Sequence, residues 1–126
     1  GIVSTAGITP DTRYPWGQCT WWAATRRADI GKPIPGWGNA ATWAGSAASA
    51  GYTVDGSPSA GSVIVFQPGV LGASADYGHV AMVEEVRGDG SILISESNAL
   101  GLGVVSTREI SASQLAAAGN GVRYIH

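Results

Sequence analysis

With a single cysteine, Cys19, the chain cannot contain an intrachain disulfide. Charge is sparse: Asp, Glu, Lys and Arg make up 13% of the residues, the net charge is -2, and the basic residues are scattered. That excludes the basic groove a nucleic acid needs and the cationic patch that holds an anionic membrane. No apolar run approaches the ~20 residues of a membrane span; the densest strand-like run is Val63 to Phe66. The chain opens on Gly1, with no initiator methionine and no basic-then-apolar leader. It is therefore read as a domain excised from a longer protein or freed of its secretion signal, and its compartment cannot be read from the N-terminus. Histidine is scarce too, with only His79 and His126, which narrows the search for a base.

What is present is enough for one real core. The 126 residues are 44% hydrophobic, and a chain of this length buries roughly two-thirds of its unfolded surface. One domain without repeats is expected. Residues 1–12, with Gly7 and Pro10 and few large apolar side chains, read as an N-terminal arm or linker, and residues 13–126 as the domain proper.

A first helix is predicted over Cys19–Ile30, ended by Gly31, with Pro33 preventing its resumption. Arg26 and Arg27 fall late in it, where cations suit the helix dipole. Asn39 is the expected N-cap of a second helix running to about Ala50, with Gly51 as its stop. Strands follow: Ser62–Gln67, then His79–Val86 and Ser91–Asn98 joined by the hairpin signal Arg87-Gly88-Asp89-Gly90, then Gly103–Ile110 and Val122–Ile125. Ser111 with Gln114 three residues on resembles a capping box for a short helix between the last two strands. Helices first and strands afterwards predict an α+β domain with a mostly antiparallel sheet.

Cys19 is predicted at the start of the first helix. Free N–H groups and the positive end of the dipole stabilise a thiolate there, and the thiolate is the nucleophilic form. A lone cysteine is often an inert core residue; its position at a helix start is what separates the two readings. A base is also needed. His126, the last residue, reads as exposed and frayed, which leaves His79. If the hairpin closes without a net bulge, Val86 pairs with Ser91, Ala81 faces Glu96 and His79 faces Asn98. All four of His79, Ala81, Glu96 and Asn98 then share one sheet face. Ile92 and Ile94 share it as well, so the face is largely buried and Glu96 requires a partner. A carboxylate beside the second ring nitrogen fixes the tautomer and supports the imidazolium. Glu84 and Glu85 read as surface charges near the hairpin end. The backbone N–H of Cys19 and the side chain of Gln18 are the candidate oxyanion donors, helix capping being the rival role for Gln18. Among the five tryptophans, Trp21 and Trp22 flank the cysteine on its helix and Trp43 reads as core. Trp16 and Trp37 sit in turns where they could line a cleft, and Tyr14 is a third candidate for its wall.

These stretches carry a resemblance. Tyr14-Pro-Trp-Gly-Gln-Cys-Thr-Trp-Trp resembles the nucleophile motif of CHAP domains, the cysteine, histidine-dependent amidohydrolase/peptidases. Gly78-His-Val-Ala-Met-Val is similar to their histidine strand and Ser95-Glu-Ser-Asn98 to the strand supplying the third and fourth site residues. Trp37 to Trp43 and Pro58 to Phe66 fit as well, so the likeness runs through residues 13–126 in order. It implies a papain-like α+β fold with the cysteine helix packed on an antiparallel sheet. It implies a secreted, bacteriolytic peptidoglycan hydrolase, a thiol enzyme facing the bacterial cell wall and joined to other domains. The bond cut is either the muramoyl–L-alanine bond (amidase) or one in the stem peptide or cross-bridge (endopeptidase). Carried over by position, Cys19 is the nucleophile, His79 the base and then acid, Glu96 its orienting partner, and Asn98 a supporting residue. Some phage-lysin members bind calcium through acidic residues around the cysteine. Here only Asp11 is available, with Trp16 and Trp21 where ligands would stand. Calcium takes six or more oxygens and zinc a fuller His/Cys set, so no metal and no cofactor are expected. Two other readings use the same residues: an inactive wall-binding or structural module, and a cysteine amidase acting on a small amide metabolite.

Overall fold

The computed structural model describes all of residues 1–126. Its elements are α1 (Cys19–Asp29), a short 3-10 turn (Ala40–Thr42) leading into α2 (Trp43–Ser49), β1 (Val54–Asp55), β2 (Val63–Phe66), β3 (His79–Val86), β4 (Ile92–Ser97), β5 (Val105–Ile110), α3 (Ala112–Ala118) and β6 (Val122–Ile125). The strands form one six-stranded sheet in the order β1-β6-β2-β3-β4-β5, antiparallel throughout. This is the expected α+β architecture, helices first.

Both sheet faces are covered, which explains why β2 reads as an unbroken apolar run instead of an alternating one. Val63 and Val65 point to the side of α1 and α2, among Trp22, Trp43, Val80, Met82 and Ile125. Ile64 and Phe66 point to the other side, among Ala81, Val83, Ile92, Ile94 and Tyr124, with Leu115 of α3 packed against them. Seven of the eleven residues of α1 are buried, so it is the central helix and not a surface one. Burying a large apolar side chain contributes roughly 1.5–3 kcal/mol, and Trp21 and Trp22 are both inside.

Polar clips fix how α1 lies on the sheet. Trp22 Nε1 donates to Ser95 Oγ at 2.9 Å, Ser95 Oγ donates to Glu84 at 2.6 Å, and Arg26 grips both oxygens of Glu84 at 3.2 and 2.9 Å. Glu84 is thus half-buried and tied to α1, not a free surface charge. Strand alternation puts Glu84 on the same face as Val80 and Met82, the face that packs on α1. Val86 pairs with Ile92 and Glu85 with Leu93, one residue beyond the expected Val86–Ser91 pair, because the turn is longer. A bulge at Glu84 absorbs the extra residue, and from Val83–Ile94 onward the pairing is the one expected from the sequence.

Three other details differ from expectation. Asn39 does not cap: the chain enters α2 through the 3-10 turn, and Thr42 Oγ1 bonds the Trp37 and Asn39 carbonyls instead. Arg27 does not serve the helix end alone; it is buried and donates to the carbonyls of Lys32, Gly61 and His126 at 2.9, 2.9 and 3.1 Å. His126 is not frayed, since its ring is held between Asp55 Oδ1 and Ser59 Oγ, each at 2.7 Å. The capping box at α3 is present as expected: Gln114 N donates to Ser111 Oγ at 3.1 Å and Ser111 N to Gln114 Oε1 at 2.9 Å. The first residues run along the outer edge of β5, with Val3 N donating to the Val105 carbonyl at 2.8 Å.

Candidate active site

Cys19 is the first residue of α1. Gln18 is the N-cap residue, but its side chain makes no capping bond. The N–H groups of the first turn are therefore left to whatever sits before the helix. The turn into α1 depends on Gly17, whose φ is +82° and whose carbonyl accepts from Gly103 N at 3.1 Å and Ser97 Oγ at 2.7 Å. A Cβ there would lie 2.7 Å from Gly103 N. The loops 14–18 and 98–104 are thereby locked together on one side of the cysteine.

On the other side, β3 begins at His79 and hands its ring to the cysteine. Gly78, with φ +71°, passes so close to β2 that an added Cβ would stand 2.5 Å from the Phe66 carbonyl. Gly78→Ala is therefore expected to shift the start of β3 and the imidazole with it. We expect a loss of about 1–3 kcal/mol of stability from the strained backbone together with a fall in catalytic rate that outlasts correction for the unfolded fraction. Thermal melts and rate measurements on the same preparation check both.

His79 Nε2 lies 3.0 Å from Glu96 Oε1. That leaves Nδ1 free for Cys19, which lines the same cleft and whose sulfur acts on the imidazole to raise its pKa. Thiol, imidazole and carboxylate form one row across α1, β3 and β4. Glu96 is 3% exposed, and Arg108 of β5 closes the row, its Nε and Nη2 each 3.0 Å from a Glu96 oxygen.

The protonation pattern follows from this geometry. Burial pushes the Cys19 thiol up, but the His79 hydrogen bond and charge, with the N–H groups of Val80 and Thr20, outweigh it, and the thiol ionises below its ordinary value. Burial alone would favour neutral His79. Its hydrogen bonds to the Cys19 sulfur and to Glu96 reverse that and raise it to about 9 from 6.5. Glu96 is held below the usual carboxylate range, because His79 and Arg108 together offset its desolvation. Both shifts favour the thiolate–imidazolium pair over the neutral one, an arrangement able to attack a carbonyl carbon and protonate a leaving amine.

The row opens into a cleft of two lobes that meet at Gln18, Cys19, Tyr77 and Gly78. One, about 620 Å³, contains His79, Glu96, Asn98, Leu100 and Arg108. The other, about 480 Å³, runs past Arg13, Tyr14, Gly36, Gly38 and Asn39. Asn98 stands at the rim, but not opposite His79. β4 ends at Ser97, Asn98 turns left-handed with φ 67°, and its Nδ2 donates to Gln18 Oε1 at 3.1 Å. Gln18 and Asn98 thus face each other across the mouth, with the Gln18 amide N–H groups unclaimed by Asn98.

The aromatic candidates separate. Tyr14 lines the second lobe, its hydroxyl accepting from Trp37 N at 2.6 Å. Trp37 is buried edge-on against Trp43 and Tyr52 and does not line the cleft. Trp16 is 62% exposed and lies over Gly103, outside both lobes. Tyr77, which the sequence did not single out, stands between the lobes and is 60% exposed. Arg108 was missed as well. The β4–β5 register shows why it belongs here: Glu96 pairs with Ser106, so Arg108 is the diagonal same-face neighbour of a buried carboxylate that needs a partner. No group of three or more His, Cys, Asp or Glu side chains is assembled to hold a metal, and no helix is long and apolar enough to cross a membrane.

Two Staphylococcus aureus proteins are similar to this chain. One, an N-acetylmuramoyl-L-alanine amidase domain-containing protein, is 45% identical over 84% of this chain and 17% of its own length. The other, N-acetylmuramoyl-L-alanine amidase sle1, is 44% identical over 90% of this chain and 31% of its own length. The chain therefore spans less than a third of either relative. The crystal structure of an N-acetylmuramoyl-L-alanine amidase from Staphylococcus aureus superposes with a TM-score of 0.84 at 41% identity, covering 91% of this chain and 31% of that one. The family model described as the CHAP domain matches residues 9–98, most of the chain, and the protein belongs to the CHAP domain family.

Proposed function

We propose that this domain hydrolyses an amide bond of peptidoglycan, with Cys19 as nucleophile, His79 as base and acid, and Glu96 as the partner that orients the imidazole. The observation that carries the reading is the Cys19–His79–Glu96 row at the N-terminus of α1, at the meeting point of two cleft lobes. Relatives that are amidases by name support peptidoglycan as the substrate and favour the amide between N-acetylmuramic acid and L-alanine as the bond.

The Cys19 thiolate attacks the carbonyl carbon, and the oxyanion is received by the Cys19 N–H and the free Gln18 Nε2. Asn98 holds the Gln18 oxygen so that this amide presents its N–H groups to the cleft. The C–N bond breaks as His79 passes its proton to the leaving amine. Neutral His79, its Nε2–H held by Glu96, then takes a proton from water, which attacks the thioester. The proton is retained on Nδ1, sulfur leaves as thiolate, and the resting ion pair is restored. In the whole protein the domain acts on the outer, cell-wall side beside further domains, consistent with the fraction of its relatives that it spans.

Purified cell walls digested with the protein test this. Mass spectrometry of the released fragments is expected to show new N-terminal L-alanine. A new end inside the stem peptide or cross-bridge would make it an endopeptidase instead, and intact walls would overturn the reading.

A further inference from the structure

Arg108 is the group at the site that the reaction above leaves unused. It grips both oxygens of Glu96 at 3.0 Å, through Nε and Nη2, and its Nη1 donates to the Leu71 carbonyl at 2.7 Å. Its Cζ sits 5.5 Å above the Phe66 ring, and the same ring lies 5.5 Å from the His79 imidazole. Leu71 is part of the cleft wall and holds a left-handed backbone, φ 50° and ψ 39°, that side chains other than glycine rarely adopt. One guanidinium therefore touches the carboxylate facing His79, the ring beneath His79, and a strained segment of the wall.

We propose that Arg108 is a positioning residue that fixes the Glu96 carboxylate against His79 Nε2 and ties the cleft wall at Leu71 to that same carboxylate. The inference rests on the Cys19–His79–Glu96 reading. In that cycle the charge of His79 comes and goes. While the imidazole is neutral, Arg108 is the cation left beside Glu96. A buried carboxylate without a counter-charge takes up a proton, and a protonated Glu96 would no longer fix the Nε2–H tautomer. Arginine stays charged at every stage, and its planar fork holds both oxygens at once. Lysine would keep the charge without the two-point grip.

The charged and titratable groups facing His79 are Cys19 from α1, Tyr77 from the loop before β3, Glu96 from β4 and Arg108 from β5. Removing a fixed positive charge raises the pKa of each group near it. Arg108→Met is therefore expected to move both limbs of the activity–pH profile toward alkaline pH. It should also lower kcat by about 10- to 100-fold, part of what a positioned acid–base group contributes. Arg108→Lys should leave the limbs in place and recover part of the rate. A merely structural role would lower the melting temperature and the rate without moving the limbs.

The experiment measures kcat, KM and pH profiles for wild type, Arg108→Met and Arg108→Lys, each in wild-type and Glu96→Gln backgrounds. Support is a shifted profile for Met and not for Lys, with the Arg108 effect on kcat shrinking below about threefold once Glu96 is gone. An unmoved profile for Arg108→Met, or a loss that is fully additive with Glu96→Gln, overturns the proposal. If Arg108→Met does not fold, the lysine variant decides: reduced kcat that shrinks in the Glu96→Gln background supports it, and wild-type kcat overturns it. Iodoacetamide labelling of Cys19 separates this from the parent reading. Slow labelling of the wild-type thiol near neutral pH sinks the Cys–His mechanism itself, whatever Arg108 does.

Discussion

Replacing Cys19 with alanine is expected to abolish clearing of a cell-wall suspension, with a rate at least about 10⁴-fold below wild type. The size follows from the chemistry. Without sulfur no thioester forms, and the remaining route is direct attack by water, which the site has no group placed to activate until an acyl-enzyme exists. The loss should not be a folding defect. Cys19 is half-buried at the edge of the core, and alanine removes one atom without opening a large void. A melting temperature within a few degrees of wild type is the control. Cys19→Ser tests the ionisation argument further. The hydroxyl occupies the same place at the helix start, but its pKa is far too high for the helix end and imidazole to ionise it, so serine should be nearly as inactive as alanine. Wall clearing retained by the alanine variant would end the nucleophile assignment.

Much of this site could be read before any coordinates, and the reasons are local. The end of the helix that carries Cys19 is written in Gly31 and Pro33 behind it. The facing of His79 and Glu96 was legible because strand side chains alternate and the hairpin signal at residues 87–90 is strong. The turn nevertheless takes one more residue than expected, and the bulge at Glu84 restores the register before the site is reached. A bulge is a local departure from strand alternation, and periodicity alone cannot register it. Arg108 went unread because its role depends on β5 pairing with β4, a contact set by the register of a third strand. Asn98 was placed by continuing an ideal strand past Ser97, where the chain instead turns left-handed. Trp37 was assigned by its turn-like neighbours, yet large aromatics enclosed by Trp43 and Tyr52 belong to the core wherever their backbone lies.

His79→Ala should be almost as damaging as loss of the sulfur, by about 10³- to 10⁴-fold, since the two act as one unit. It should also leave a signature that Cys19→Ala cannot. In the wild type the thiolate–imidazolium pair exists between two titrations that belong to the pair jointly. At low pH the thiol is protonated; its ionisation, below the ordinary thiol value, forms the acid limb of activity. At high pH the imidazolium loses the proton owed to the leaving amine, which places the alkaline limb near pH 9. The profile is therefore a bell whose acid limb lies below the ordinary thiol value and whose alkaline limb lies near pH 9. Without His79 the strongest opposition to burial is gone, and burial moves the Cys19 thiol upward. Alkylation by iodoacetamide should then become slow near neutral pH and rise as a single step in the alkaline range, at or above the ordinary thiol value. The helix N-terminus alone, with the Val80 and Thr20 N–H groups, should recover only part of the difference. If His79→Ala labels at neutral pH as fast as wild type, the imidazole is not what ionises the sulfur, and the row of thiol, ring and carboxylate has no catalytic meaning.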